Sequence, residues 1–185
     1  AKSKLLKQLA YAWIVQNGIL VISVAIRNHN YITEHGLTHK RIGVYIFLLS
    51  TIIGLVFLYL KIKNKKSIYY LMLNNSWAVY GILVLMGMVN WDGMIATYNI
   101  KYVDQTQVDY SYLATLSDNA LIAIEENKES LNTDMWNDKQ YFGYGRISPA
   151  QHFENRILTI QYNKPQSALS WNYSTYKNQQ YFKIK

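Results

Sequence analysis

The sequence predicts a mainly α-helical membrane protein in which three transmembrane helices precede a small, mostly helical, loop-rich extracytoplasmic domain. Three observations lead to this fold class. Three long runs carry no charged residue, positive charge gathers beside those runs, and the second half of the chain is polar and rich in tyrosine. We therefore divide the chain into a transmembrane domain, residues 1–91, and a tyrosine-rich extracytoplasmic domain, residues 92–185.

The charge-free runs place the predicted spans at residues 8–26, 42–60 and 67–91, and they contain 19, 19 and 25 residues. An α-helix rises about 1.5 Å per residue, so each run is long enough to cross a hydrocarbon core of about 30 Å. The lysine-rich link between the second and third runs is short, which predicts that these two helices pack as an antiparallel hairpin.

Lysine and arginine beside the spans predict their direction, because cytoplasmic flanks carry the excess of these residues. One side of the predicted membrane has seven of them, namely Lys2, Lys4, Lys7, Lys61, Lys63, Lys65 and Lys66. The other side has three, Arg27, Lys40 and Arg41. We therefore expect the N-terminus in the cytoplasm and the C-terminal domain outside.

The net charge of +8 is distributed in a way that argues against nucleic-acid binding. Residues before Asp92 carry a net charge of +9, and residues from Asp92 onward carry −1. The basic residues adjoin the apolar runs, where membrane topology and lipid headgroups account for them. The expected partner is therefore the lipid bilayer and not nucleic acid. The sequence has no cysteine, which excludes disulfides, thiolate metal ligands and a cysteine nucleophile.

The predicted topology places uncharged polar residues of all three spans at one depth, about 12–16 Å from the cytoplasmic ends. An unpaired amide in hydrocarbon is costly, so we predict that these side chains form a hydrogen-bonded layer between the helices. The alternative is that they face another subunit or helices upstream of Ala1. The predicted layer comprises Gln16, Asn17, Ser50, Thr51, Asn74, Asn75 and Ser76.

The sequence offers no catalytic constellation. Ser148 and His152 stand at positions i and i+4, but no nucleophile elbow surrounds the serine, and a helix cap beside a surface histidine is the simpler interpretation. Glu34 is followed by two histidines at a spacing that suits a metal site, yet Gly36 is expected to break the helix that would bring them together. We predict no catalytic residue, no metal site and no cofactor.

Local signals also predict elements of the C-terminal domain. Its expected helix boundaries are Asp109 for one start, Ser117 or Asp118 for a second, Ser148-Pro149 for a third, and Pro165 for the end of that third helix. Residues 132–146 have weak periodicity and are expected to form a loop, and the tail 170–185 is a docked helix or a strand. Trp91, Tyr98 and Tyr102 follow the third span closely enough to act as interfacial anchors.

Two parts of the chain carry motifs of a known family. The segment TEHGLTHKR at 33–41 resembles E-Y-G-L-T-x-x-R, with His35 in place of the usual tyrosine. The segments NWDGMIATYNIKY at 90–102 and VDYSYLATLSDNALIAI at 108–124 are similar to N-x-D-x-x-I-A-x-Y-N and D-x-x-Y-L-x-x-L-S-x-D-A. These motifs resemble those of a bacterial membrane family of unknown function, the DUF4173/DUF4153 group. The motif positions of first interest are Glu34, Gly36, Arg41, Asp92, Tyr98 and Asn99.

The resemblance implies a multi-pass protein of the bacterial cytoplasmic (inner) membrane, with additional helices upstream of Ala1, and it implies no activity. With the uncharged spans, it favours a non-enzymatic integral membrane subunit, anchor or accessory factor of a larger envelope complex. Other membrane protein subunits are then the expected partners. The alternatives are a membrane sensor or signal-transducing module, a fragment of a transporter, or an enzyme acting on lipid or envelope glycan.

Overall fold

The computed structural model describes residues 2–138, 140–142, 145–162 and 172–184, which are mostly helical. The chain divides into two compact units. The first comprises Ala1–Ile32 and Thr38–Val89, and the second comprises Thr33–Leu37 and Asn90–Lys185. The short segment Thr33–Leu37, which we call the connector, therefore belongs to the second unit, although its first three residues are the end of the long helix Lys2–His35.

The first unit is built from three long helices, α1 (Lys2–His35), α2 (His39–Lys63) and α3 (Ile68–Met88). Each is long and apolar enough to cross a membrane, so the prediction of three such helices is confirmed. The third helix ends at Met88, three residues before the predicted end of its span. Thr38 starts α2 as predicted, because its hydroxyl accepts the Arg41 N–H at 3.4 Å.

Contacts within the first unit join neighbouring helices. A Cβ added to Gly54 of α2 would lie 3.8 Å from the Asn75 Oδ1 of α3, so the two helices approach closely at this glycine. Asn28 of α1 donates its side-chain N–H to the Arg41 carbonyl of α2 at 3.1 Å. Many large apolar side chains remain exposed, as Phe47 does at 69%. This exposure suits a hydrocarbon environment.

Four of the seven polar residues of the predicted layer form hydrogen bonds within their own helices. In each case the side chain donates to the backbone carbonyl four residues earlier, at 2.7–2.8 Å. The residues that do so are Asn17, Ser50, Thr51 and Asn74. One such bond leaves further donors or acceptors on each side chain. The layer of hydrogen bonds between helices stays a prediction.

The second unit contains six shorter helices and one hairpin among its described residues. The elements are α4 (Trp91–Tyr102), α5 (Tyr110–Thr115), α6 (Leu121–Glu126), α7 (Thr133–Asn137), β1 (Gln140–Phe142), β2 (Gly145–Ile147), α8 (Pro149–Tyr162) and α9 (Tyr173–Ile184). Single 3-10 turns occupy Asp118–Ala120 and Lys128–Ser130. The strands β1 and β2 pair antiparallel, with Gln140 opposite Ile147.

An aromatic cluster lies in the core of the second unit. The Trp136 ring packs edge-on against Tyr110 and Phe153, with ring centroids 6.0 and 5.9 Å apart. The buried Tyr110 hydroxyl donates to Gln105 Oε1 at 2.7 Å and accepts the Asn132 N–H at 3.0 Å. Burial raises the pKa of Tyr110, and the Asn132 hydrogen bond acts in the opposite direction.

Several boundaries predicted from the sequence are confirmed. Gly36 lies just past the end of α1 with φ of +80°, the left-handed conformation typical of a helix stop. Asp109 accepts the Tyr112 N–H at 2.9 Å and starts α5. Pro149 is the first residue of α8, and Ser148 caps it by accepting the Gln151 N–H at 3.1 Å.

The predicted loop over residues 132–146 is wrong. Asn132 accepts the N–H groups of Asp134 and Met135 and so caps α7, and the β1–β2 hairpin follows. The helix α7 has five residues, which is too short for a helical repeat of apolar residues to be visible in the sequence. The buried Trp136 packs against Phe153 and so holds α7 against α8. The tail is helical over α9, while Pro165 and residues 163–171 lie outside the described residues.

Candidate functional site

One side chain of α4 binds the connector between α1 and α2. The Asn99 Oδ1 accepts the Leu37 N–H at 2.5 Å, and the Asn99 Nδ2 donates to the Leu37 carbonyl at 2.9 Å. Asn99 and Leu37 are both buried. A single amide therefore satisfies both backbone polar groups of one residue, and two motif segments that are far apart in the sequence meet at this point.

Gly36 is required at this contact for two reasons. Its φ of +80° is a conformation that L side chains rarely adopt. In addition, a Cβ at this position would lie 2.7 Å from the Asn99 Oδ1, well inside van der Waals contact. The glycine thus stops α1 and leaves the room in which Asn99 reaches the Leu37 backbone.

The first turn of α4 forms a second junction with the segment 117–119. The Asn90 Oδ1 caps α4 by accepting the Gly93 N–H at 3.0 Å, and its Nδ2 donates to the Asn119 carbonyl at 3.0 Å. Asp92 accepts a hydrogen bond from the Ser117 hydroxyl. Ser117, one of the two residues predicted to start the second helix, precedes the 3-10 turn Asp118–Ala120, but its hydroxyl binds Asp92 and does not cap that turn.

The same stretch of chain is held from the other side by α8. Arg156 donates to the Ala114 carbonyl at 2.9 Å, to the Leu116 carbonyl at 2.5 Å and to Asp118 Oδ1 at 2.6 Å. Asn178 of α9 donates to the Asp118 carbonyl at 2.7 Å. Sequence analysis missed Arg156 and Asn178. The available signal for Arg156 was a basic residue next to Ile157 on the apolar face of α8.

Ser148 and His152 take separate structural roles. Ser148 is buried and uses its hydroxyl as the α8 cap. Burial lowers the pKa of His152 below its ordinary value, the nearby Arg156 charge lowers it further, and a hydrogen bond with the Ala114 carbonyl acts in the opposite direction. His152 thus lies close to Arg156 and to the Ala114 carbonyl that Arg156 also binds. Among the described residues, no group of three or more His, Asp or Glu is arranged to hold a metal ion.

The other motif positions lie apart from these junctions. Glu34 is exposed, with its carboxylate 3.9 Å from the His35 Nδ1. Arg41 lies in α2, where its backbone N–H and carbonyl bind Thr38 and Asn28. Tyr98 is half-buried and packs on Tyr102 with ring centroids 5.4 Å apart.

These contacts form a polar framework, which we define as Asn90, Asp92, Asn99, Arg156 and Asn178. Four of these side chains bind backbone groups of the second unit, and Asp92 binds the Ser117 side chain. Such bonds fix the path of the chain, because a buried backbone group without a partner is costly. The polar framework therefore joins the connector, α4, the segment 114–119, α8 and α9 within the second unit.

Comparison with known proteins places the chain in a family. No curated protein and no solved structure matches it. A family model described as Domain of unknown function (DUF4153) matches residues 1–127, a range that includes the three long helices, both junctions of α4 and the segment held by Arg156. The chain belongs to the DUF4153 family.

Proposed function

We propose that the chain is a non-enzymatic membrane subunit, anchor or accessory factor of a larger envelope assembly. One observation carries the proposal: the three apolar helices bury little of themselves against each other. Of the most apolar stretch of α1, α2 and α3, only 6%, 11% and 0% of the residues are buried inside the chain. Helices with so much free surface are available for contacts with other membrane helices as well as lipid.

The uncharged amides of the spans support the same proposal. Gln16 is exposed on α1, close to the middle of the predicted first span. A polar group facing hydrocarbon is costly, and a hydrogen bond to another transmembrane helix in model systems contributes about 0.6–2 kcal/mol. A partner helix that offers a polar group at this depth would relieve the cost. Gln16 is therefore the position at which we expect a partner to bind.

The test is extraction of the full, tagged chain in mild detergent, followed by quantitative mass spectrometry of the proteins that co-purify. We expect membrane proteins in a fixed ratio to the chain, and we expect Gln16→Leu to reduce their recovery. Gln8→Leu is the matched control, because it makes the same change at an exposed site near the end of the predicted span. Recovery of a lone monomer from the wild-type chain would contradict the proposal.

We further propose a bacterial cytoplasmic (inner) membrane location, with the N-terminus in the cytoplasm and the second unit outside. The seven flanking cations on one side against three on the other support this direction. The cysteine-free sequence makes the test simple. In intact spheroplasts, an impermeant maleimide should label Glu129→Cys and leave Asn64→Cys unlabelled until the membrane is opened. The reverse pattern would overturn the orientation.

A sensor module is the second candidate, and one observation favours it. The connector Thr33–Leu37 is continuous with α1 and α2 yet belongs to the second unit, so a ligand on that unit has a covalent route to two spans. A cytoplasmic signalling protein among the co-purified partners would favour this function over an accessory role.

A further inference from the structure

The helix α4 presents two apolar faces to different surroundings. One face is buried within the second unit and consists of Gly93, Ile95, Ala96, Asn99 and Ile100. The other face carries Met94 and Tyr102, which are 42% and 72% exposed, together with exposed Lys101 and half-buried Trp91 and Tyr98. A helix that is apolar on its exposed side as well as its buried side is unusual at a surface that faces only water. Tryptophan and tyrosine are enriched at membrane–water interfaces, and lysine can bury its aliphatic chain there while its charge stays in water.

The start of α4 is tied to the end of a membrane helix. α3 ends at Met88 and α4 begins at Trp91, so only Val89 and Asn90 separate them. An extended residue spans at most about 3.6 Å, so the three steps from Met88 to Trp91 keep the first residue of α4 within about 11 Å of the end of α3. The headgroup region is about 5–8 Å thick on each side of the hydrocarbon core, so the start of α4 lies in or beside it.

The far end of α4 is tied to a second point on the same side of the membrane. Asn99 binds the Leu37 backbone, and Leu37 lies two positions before His39, the first residue of α2. Because α2 and α3 are joined at their other ends, the start of α2 and the end of α3 lie on one side. Asn90 and Asn99 are nine residues apart, about 13 Å along a helix. Two points this far apart on α4 are thus both held close to one membrane surface.

From these two ties we infer that α4 runs along the membrane surface, with its exposed aromatic face in the lipid headgroup region. The buried face with Asn99 then points to the rest of the second unit, and the face with Trp91, Met94, Tyr98, Lys101 and Tyr102 contacts lipid. Lys101 is positioned to meet lipid phosphate while the rings lie deeper. This inference requires membrane-spanning helices but no partner protein, so it is independent of the proposed accessory role.

The experiment places the full chain in lipid nanodiscs without other proteins and measures contact with lipid at single sites. The native chain has no cysteine, so Met94→Cys and Tyr102→Cys each take one fluorescent probe at an exposed position. Glu129→Cys, which is exposed on the same unit, is the control. Quenching is by lipids that carry a nitroxide near the headgroup end of the acyl chain. We expect several-fold stronger quenching at positions 94 and 102 than at 129.

Equal quenching at the three sites would overturn the inference. A fourth probe, Leu83→Cys on α3, reports on the membrane helices themselves through a nitroxide near the bilayer centre. Absence of quenching there would overturn both the inference and the membrane placement, whereas quenching there with none at 94 and 102 would overturn the inference alone.

As a second measurement, Met94→Glu with Tyr102→Glu should reduce the quenching of a probe on Lys101→Cys. Unchanged quenching in that variant would contradict contact through this face.

Discussion

The side chain of Asn99 binds both the N–H and the carbonyl of Leu37, a residue 62 positions earlier in the chain. This pair fastens the connector Thr33–Leu37, which leads from α1 to α2, to the helix α4. The resemblance to known motifs pointed to Gly36 and Asn99 separately, and the fold explains why they occur in one protein: the glycine provides the space and backbone conformation that the asparagine requires. The positions act together in holding the connector.

Asn99→Leu should destabilise the second unit. The substitution keeps a similar size but leaves the Leu37 N–H and carbonyl without their partner in a buried place, and each such group costs about 1–3 kcal/mol. We expect a loss of about 3 kcal/mol in the free energy of unfolding. Thermal unfolding in detergent, followed by near-ultraviolet circular dichroism, measures it. Asn155→Leu, at an exposed position of α8, is the control, and equal unfolding temperatures for the two variants would contradict the role of Asn99.

Gly36→Ala should also be destabilising, while Gly43→Ala should not. At Gly36 the new methyl group meets the Asn99 side chain and the backbone is strained by about 1–2 kcal/mol. At Gly43, within α2, a Cβ meets nothing within 4 Å, and alanine favours the helix. Protease resistance of the two variants in the same detergent separates these outcomes. Similar resistance for both would show that the conformation at Gly36 is dispensable.

Arg156→Lys should weaken the packing of α8 against the segment 114–118 in spite of the retained charge. The guanidinium reaches three acceptors at once, whereas a single ammonium at the end of a flexible chain has a different shape and reach. We expect a loss of about 2 kcal/mol in the free energy of unfolding. Chemical denaturation measures the loss, with Arg146→Lys at an exposed position of β2 as the matched substitution. If the two variants unfold at the same denaturant concentration, the three contacts contribute nothing.

His152 should make the stability of the second unit depend on pH. Its pKa is lower in the folded state than the ordinary value of about 6.5, mainly because of burial and then because of Arg156. As the pH falls, His152 therefore binds a proton at a higher pH in the unfolded chain than in the folded chain. The contribution of neutral His152 to the stability of the fold is complete above the pKa of this residue in the unfolded chain. It declines as the pH falls from that value towards the lower pKa of His152 in the folded chain.

Comparison of unfolding temperatures for the wild-type chain and His152→Gln from about pH 7.5 to pH 5 tests this, since histidine is the residue that titrates in that range. The wild-type chain should lose more stability than the variant on acidification. Parallel curves would show that another group is responsible for any pH dependence. The lowered pKa of exposed Asp104, caused by hydrogen bonds from Thr106, concerns a more acidic range and should leave the comparison unaffected.

Sequence reasoning succeeded where the signal is local. Thr38, Asp109 and Ser148 were recognised as helix starts because a capping side chain binds backbone N–H groups two or three residues away. It failed over α7, where one helical turn depends on the burial of Trp136 between residues from other elements. A short element stabilised by tertiary contacts leaves no period to detect.

The sequence by itself determined three apolar helices, the stop at Gly36 and the family motifs, because hydropathy and left-handed glycine conformations depend on residues close together in the chain. Only the tertiary structure decided that the connector Thr33–Leu37 joins the second unit, that Ser117 binds Asp92, and that Arg156 holds the carbonyls of Ala114 and Leu116. Those contacts connect residues from 25 to 62 positions apart. Their partners are selected by the packing of helices, and no spacing within one segment encodes that choice.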